Sequence, residues 1–203
     1  MTERADSVRV AHPLFQAERG GSTPTSALQL RVVEIDTALA RDLNALWHSR
    51  LPIYQTGSCL FSRVSYAAIH AGLYYAVAIW TNPVARTLPQ QSWLELRRFA
   101  ISPEAPRNTA SRMLAVMTRL IVKGFADIVR LVSYQDVEAH SGTIYKAAGW
   151  YVGGEHSGGS WCRPNSHNRS GTPRLRPDAN DATGPKIRWE RVIRPVVPVE
   201  EER

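Results

Sequence analysis

Residues 93–124 read WLELRRFAISPEAPRNTASRMLAVMTRLIVKG, residues 130–136 read RLVSYQD and residues 140–154 read HSGTIYKAAGWYVGG. The first stretch opens on a β-prone run, Trp93 to Ile101, stopped by Ser102-Pro103. Met113, Leu114, Met117, Leu120 and Ile121 then recur at helical spacing, which predicts an amphipathic helix with Gly124 as its stop signal. Ile128 to Tyr134 reads as a buried strand, Ser141 to Ala148 as two helical turns ended by Gly149, and Trp150 to Gly153 as the start of another strand. Two strands that each hand over to a helix at a polar loop build a cleft at their C-terminal edge, the edge at which open α/β sheets bind ligands. Arg97, Arg98, Arg107, Asn108, Ser111, Asp136, His140 and Tyr145 all fall on or near that edge.

Upstream, Leu28 to Ile35 (LQLRVVEI) alternates apolar and polar residues like a half-buried strand. Asp36 or Thr37 is placed to cap a helix running to about Trp47, with Leu39, Leu43 and Leu46 as its apolar face and Pro52 beyond its end. Phe61 to Ile69 and Leu73 to Trp80 form a hairpin around His70-Ala71-Gly72. Residues 1–27 are rich in Ser, Thr, Gly and charge, and read as a mobile leader.

Downstream, residues 154–185 are a run of Gly, Ser, Pro, Asn and Arg, after which KIRWERVI (186–193) alternates again as a returning strand. A connection of this length within a compact domain points to function or disorder. The expected organisation is a leader at 1–27, one catalytic domain at 28–193 that includes a basic loop at about 154–185, and a tail at 194–203.

The 203 residues suffice for one domain with a substantial core. The 25 Lys and Arg against 18 Asp and Glu give a net charge of +7 and a pI near 9.8, which points to a polyanionic partner. Between Ser160 and Arg194 eight basic residues stand against three acidic ones, so most of the excess is concentrated there. Arg163, Arg169, Arg174, Arg176, Lys186 and Arg188 are the candidate DNA-binding residues. No apolar run reaches the length of a membrane span, and the N-terminus lacks the apolar core of a signal peptide. Cys59 and Cys162 form no metal-type pair and suit a reducing cytoplasm.

At the central edge, Asp136 follows its strand directly, where a carboxylate can take a proton from a reacting amine, hold a cation, or cap the next helix. Tyr145 lies on the short helix beyond, either as a proton donor to a leaving group or as a half-buried structural tyrosine. The loop PRNTASR enters the long helix, whose first backbone amides favour an anion. Arg107, Asn108, Ser111 and Arg112 are its candidate cofactor-binding residues, and Asn108 or Thr109 its expected cap. His48 and His140 suit structural or catalytic roles.

This order of elements is similar to that of the GCN5-related N-acyltransferase (GNAT) fold, whose members cradle acyl-CoA pyrophosphate with an R/Q-x-x-G-x-G/A loop. Here the loop from Arg107 to Arg112 has no glycine, so a side chain stands where backbone would approach the phosphates, and acetyl-CoA is a poor expectation. WHSRLP, LELRRFAI, APRNTASR, SYQD and GTIYKAAGW, in this order and spacing, resemble one outlying branch of that fold, the bacteriophage Mom-type DNA modification proteins. GGSWCRP and TGPKIRWE near the C-terminus are similar to relatives as well.

The resemblance implies a single α/β mixed-sheet domain of GNAT type with a long basic loop near its C-terminus. It implies transfer of a glycinamide-like group to the exocyclic amine of adenine in double-stranded DNA, protecting phage DNA from restriction in the cytoplasm of an infected or prophage-carrying bacterium. By position, Arg98, Ser111, Asp136 and Tyr145 match the functional residues of that family. Its iron site would fall on His48 and Asp136, although His48 lacks the tyrosine that follows it in many relatives. The donor, which the sequence does not identify, would be a small molecule or an activated glycine-type compound, and monomer and homodimer are both compatible with the chain. Two alternatives stand beside this reading: a GNAT acetyltransferase acting on a small amine or a protein, and a non-catalytic DNA-binding protein on the same fold.

Overall fold

The computed structural model describes residues 23–48, 62–157 and 184–195. Seven strands form one sheet, β1 (Arg31–Ile35), β2 (Ser62–His70), β3 (Leu73–Thr81), β4 (Trp93–Ile101), β5 (Arg130–Asp136), β6 (Tyr151–His156) and β7 (Lys186–Val192), in the order β1-β2-β3-β4-β5-β7-β6. Three helices pack on it: α1 (Thr37–Trp47), α2 (Thr109–Gly124) and α3 (Thr143–Ala147). All neighbouring strands are antiparallel except β4 and β5, which are joined by the α2 crossover and run parallel. The sheet is therefore mixed, as the α/β reading of the sequence requires.

The hydrophobic periodicity places the layers. Met113, Leu114, Met117 and Ile121 of α2 are at most 1% exposed and join Trp80, Leu94, Leu131 and Trp189 in the larger core. On the other face α1 buries Ala40 and Leu43 against Ala67, Val77 and Ile79. Leu46, expected on that buried stripe, is 57% exposed; the helix instead turns Ala40, Leu43 and Asn44 inward, a face advanced by one residue. Asp36 caps α1 as expected, its side chain accepting from the Leu39 amide at 2.9 Å. Ala71 and Gly72 both have positive φ, 48° and 78°, the pairing a tight hairpin turn demands.

Three other expectations shift. The described end of the segment read as a leader is packed: Ser26 and Gln29 form a capping box, and Ala27 is 6% exposed. β6 continues through Gly154 to His156, with Gly154 opposite Arg188, so the segment expected as loop from residue 154 begins as strand. Asn108 takes the N-cap position of α2, but with φ 66° and no side-chain cap; Thr109 instead donates its hydroxyl to the Pro106 carbonyl at 2.7 Å.

Several C-terminal arginines serve the fold rather than the surface. Arg194 donates to the Val122 and Phe125 carbonyls at the end of α2 and to that of Ile128 in the loop beyond it, and Arg191 donates to those of Ala148 and Gly149 after α3. Both act as C-terminal helix caps.

Candidate active site in a cleft opened by a bulge in β4

β4 pairs with β5 only from Trp93 opposite Arg130 to Leu96 opposite Ser133. The reason lies on β4 itself. Against β3, Trp80 faces Leu96 and Ile79 faces Arg98, so Arg97 is an extra residue in a bulge. A bulge bends its strand and increases the local twist. Beyond it β4 follows β3 to Ile101 while β5 stays paired with β7 to Asp136, and the two strands part. The gap is a cleft of about 480 Å³, within the range of small-molecule sites.

The bulge also reassigns faces. Plain alternation would put Leu94, Leu96 and Arg98 on one side. Instead Leu94, Leu96, Phe99 and Ile101 share the α2 side, and Arg98 sits opposite Ile79 on the α1 side. Arg97 is the arginine that lines the cleft, its guanidinium held by the 1%-exposed Glu95 at 3.1 Å. Glu95 in turn accepts from the Val84 amide at 2.8 Å. Arg98 donates to the Arg97 carbonyl at 2.9 Å and lies near enough to His48 to depress its pKa.

His48 and Trp47 enter the cleft from the end of α1. Burial, then the positive charge of Arg98, then His140, hold the His48 imidazole below its usual range, so it is neutral at pH 7. Asp136 borders the cleft at the last residue of β5. Its Oδ1 accepts from the Glu138 amide at 3.1 Å and its carbonyl from the His140 amide at 3.0 Å, so the carboxylate is oriented by the turn that follows it.

Tyr145 reaches the floor of the same cleft. It is 7% exposed, stacks on Trp189 with ring centroids 5.4 Å apart and shares a 2.9 Å hydrogen bond with Ser133 Oγ. Burial pushes the phenol up while the Ser133 bond opposes it, so the hydroxyl keeps its proton at neutral pH. Behind it Gln135, 4% exposed, accepts from the Trp189 indole at 2.7 Å and donates to the His140 carbonyl. One buried amide thus ties β5, β7 and the loop after Asp136 together.

A second cavity of about 240 Å³ lies at the N-terminus of α2, lined by Asn108, Ser111, Thr143 and Ile144. Ala110, Ile101, Thr143 and Ile144 border both cavities, so the two are contiguous. Ser111 donates to the Asn108 carbonyl at 3.2 Å, Arg112 donates to the Leu28 carbonyl at 3.4 Å, and Arg107 is exposed.

The structure therefore brings Asp136, Tyr145 and His48 to one cleft and places Ser111 at the adjoining cavity, with Arg98 on the α1 side behind His48. Lys186 lines the cleft opposite Asp136. Arg188, counted among the DNA-binding candidates, is instead committed to Glu190 at 2.8 Å and to the Gly153 carbonyl at 2.8 Å. Arg163, Arg169, Arg174 and Arg176 lie outside the described residues. Sequence reading missed Ser133, Tyr134, Gln135 and Trp47. The run SYQD at a strand end was the signal for the first three, and WH before a helix stop was the signal for the fourth.

The described residues hold no group of three or more His, Cys, Asp or Glu arranged to bind a metal ion, so the iron assigned to His48 and Asp136 finds no ligand set among them. No described helix is long and apolar enough to cross a membrane.

The Mom protein family matches residues 29–173, more than half of the chain. No curated protein matches it. Among solved structures, the Escherichia coli ribosomal-protein-S18-alanine N-acetyltransferase superposes with a TM-score of 0.51 at 12% identity, covering 84% of this chain and 97% of that one. A Bacillus subtilis acetyltransferase in complex with CoA gives 0.53 at 10% identity, covering 80% and 98%. The Vibrio fischeri ribosomal-protein-S5-alanine acetyltransferase gives 0.51 at 10%, covering 81% and 93%. At such identities the likeness is one of fold, and the fold is that of the GNAT acetyltransferases.

Proposed function

The chain belongs to the Mom protein family, and from that premise we propose that it is a DNA-modifying transferase that adds a glycinamide-like group to the exocyclic amine of adenine. The observation that carries the reading is the meeting of the Asp136 carboxylate and the protonated Tyr145 phenol in one cleft at the parting of β4 and β5. The exocyclic amine is a poor nucleophile because its lone pair is delocalised into the ring. It needs a base, a fixed approach and a neutralised leaving group.

In the proposed reaction the adenine nitrogen forms a bond to the donor carbon as the bond from that carbon to the leaving group breaks. Asp136 takes the amine proton, and Tyr145 gives its proton to the leaving group. Both residues return to their starting states by exchange with solvent between turnovers. Arg97, held by Glu95, is placed to stabilise charge developing on the donor. Burial, with the charge of Arg98 added to it, keeps the His48 imidazole neutral beside the reacting groups. The donor occupies the α2 side of the cleft, where Ser111 and the first-turn amides of α2 border the second cavity.

A base inside a duplex cannot reach such a cleft, so the target adenine is extruded. Lys186 and the arginines at 163, 169, 174 and 176 hold backbone phosphates. The setting is the cytoplasm of a phage-infected or prophage-carrying bacterium, and the benefit is resistance to restriction. Acetyl-CoA suits this chain poorly, because Ala110 and Arg112 stand at the glycine positions of the pyrophosphate loop and Ala110 borders both cavities. Iron has no ligand set among the described residues, and no step depends on it.

Mass spectrometry of nucleosides from the DNA of cells expressing the chain tests the proposal. A deoxyadenosine carrying the added group is expected. Unmodified adenine, with acetylated protein or small amines in its place, would return the chain to acetyltransferase chemistry. Unmodified adenine with tight DNA binding would leave a binding protein.

A further inference from the structure

The cleft passes through the sheet, and its two sides differ in chemistry. Along β5, Leu131, Ser133 and Gln135 face the α2 and α3 layer, as their contacts with the larger core, Tyr145 and Trp189 establish. Val132, Tyr134 and Asp136 must then face the α1 side, because successive strand residues alternate. Next to Tyr134 and Asp136 the parting of β4 leaves open space rather than a strand. Across it stands Trp47, the last residue of α1, which lines the same cleft.

Tyr134 is half-buried and fixed. Its ring lies 5.7 Å from that of His156 on β6, tilted by 54°. Arg188, its register partner on β7, sits beside its hydroxyl. A half-exposed aromatic ring on a rigid strand, held from behind and open to a cleft, is the arrangement that nucleic-acid-binding proteins use to stack bases. Asp136 is two residues further along the same strand face, roughly 7 Å away at about 3.3 Å per residue. A purine lying on Tyr134 therefore brings its edge to the carboxylate.

We propose that Tyr134 is the stacking platform for the extruded adenine and that Trp47 closes the opposite wall, so that acceptor and donor meet from opposite sides of the sheet. The inference rests on the DNA-modification reading and deepens it by assigning the base its subsite. Neither residue belongs to the proton-transfer pair.

The test uses the full chain and single-stranded oligonucleotides carrying 2-aminopurine, whose fluorescence is quenched when it stacks on an aromatic ring. Wild-type protein quenches the probe. Tyr134→Phe keeps the ring and should keep the quenching. Tyr134→Leu keeps apolar volume without a π-face; it should bind the probe about 5- to 150-fold more weakly, the loss expected for one stacked base, with an unchanged melting temperature. Trp47→Leu should weaken it in the same direction.

Equal quenching by wild type and Tyr134→Leu overturns the platform, as does wild-type modified-adenine yield in that variant. Quenching that depends on Tyr134 without any modified adenine in cellular DNA leaves the platform standing and removes the transferase reading instead.

Discussion

The Tyr145 hydroxyl lies 2.9 Å from Ser133 Oγ, both buried, at the level where β4 and β5 stop pairing. The bond links the last residue of β5 that pairs with β4 to the short helix that carries the proposed acid, so the geometry of the parting and the position of the phenol are set together. It also opposes the upward push that burial gives the phenol.

Tyr145→Phe removes only the hydroxyl. We expect modified-adenine yield to fall by about 10² to 10⁴-fold, the usual worth of a general acid. Ser133 still reaches the Leu96 carbonyl at 3.5 Å, so the melting temperature should hardly move. Ser133→Ala does the reverse. It leaves the phenol buried without this partner, at a cost of about 1 to 3 kcal/mol, and shifts any alkaline limb of the activity profile to higher pH.

Asp136 has two duties that a pair of variants separates. Asp136→Asn keeps an oxygen to accept from the Glu138 amide but removes the basic charge, so modification should be lost with DNA affinity and melting temperature intact. Asp136→Ala also releases the turn, and should lower stability by about 0.5 to 2 kcal/mol, as is typical of a missing cap. Near-normal modification by Asp136→Asn would reduce the residue to that turn.

The sequence carried the layers of the fold plainly. The helical spacing of Met113, Leu114, Met117 and Ile121 and the hairpin around His70-Ala71-Gly72 follow from local chemistry, and the structure agrees with both. The bulge at Arg97 does not follow from local chemistry. It depends on how β4 accommodates β3 and β5 at once, and the break in alternation at Arg97-Arg98 in LELRRFAI marks the place without saying which arginine is the extra residue. That is why two adjacent arginines could be placed at the edge but not assigned to their faces. The uses of Arg188, Arg191 and Arg194 were hidden for a related reason. A charge count sees cations, whereas Glu190 and the free carbonyls at the ends of α2 and α3 are brought to them only by the fold.

Gly142 should tolerate no side chain. Its φ is 73°, and a Cβ would overlap the Gln135 amide and come within 2.7 Å of the Trp189 ring. Gly142→Ala combines the roughly 1 to 2 kcal/mol of a left-handed residue with displacement of the buried amide that spans Trp189 and His140. We expect a loss of several kcal/mol in denaturant titration. Gln135→Leu should recover part of the stability in the double variant, since it removes the amide oxygen that the new methyl group would strike. Strict additivity of the two losses would mean that the two side chains do not meet.

His48 should make the protein sensitive to acid. Its folded pKa lies below the usual 6.5, chiefly through burial and then through Arg98 and His140, so the fold favours the neutral imidazole. A depressed folded pKa contributes stability that is fully present above the unfolded value. That stability is lost as pH falls through the folded one. Melting temperature should therefore drop below about pH 6.5 in the wild type and drop less in His48→Gln. The same slope in both proteins would assign the acid sensitivity to other groups.

The basic residues near the C-terminus divide into two classes with opposite signatures. Arg188, Arg191 and Arg194 hold Glu190 or the ends of helices, so replacing any of them by Ala should lower the melting temperature and leave the salt dependence of DNA binding unchanged. Arg163, Arg169, Arg174 and Arg176 lie outside the described residues and carry the expectation of phosphate contact. Each phosphate that is no longer neutralised should reduce the slope of log affinity against log salt by about 0.9 on duplex DNA. Replacing all four by Ala should therefore flatten the slope in proportion to the phosphates they neutralise, weaken binding alike on every sequence, and leave the melting temperature where it was. The measurement is a salt titration of duplex affinity for the fourfold variant beside Arg194→Ala. An unchanged slope in the fourfold variant would mean that this charge is solvated in the complex, and the phosphate-holding surface would have to be sought around Lys186 and Arg97 at the cleft mouth.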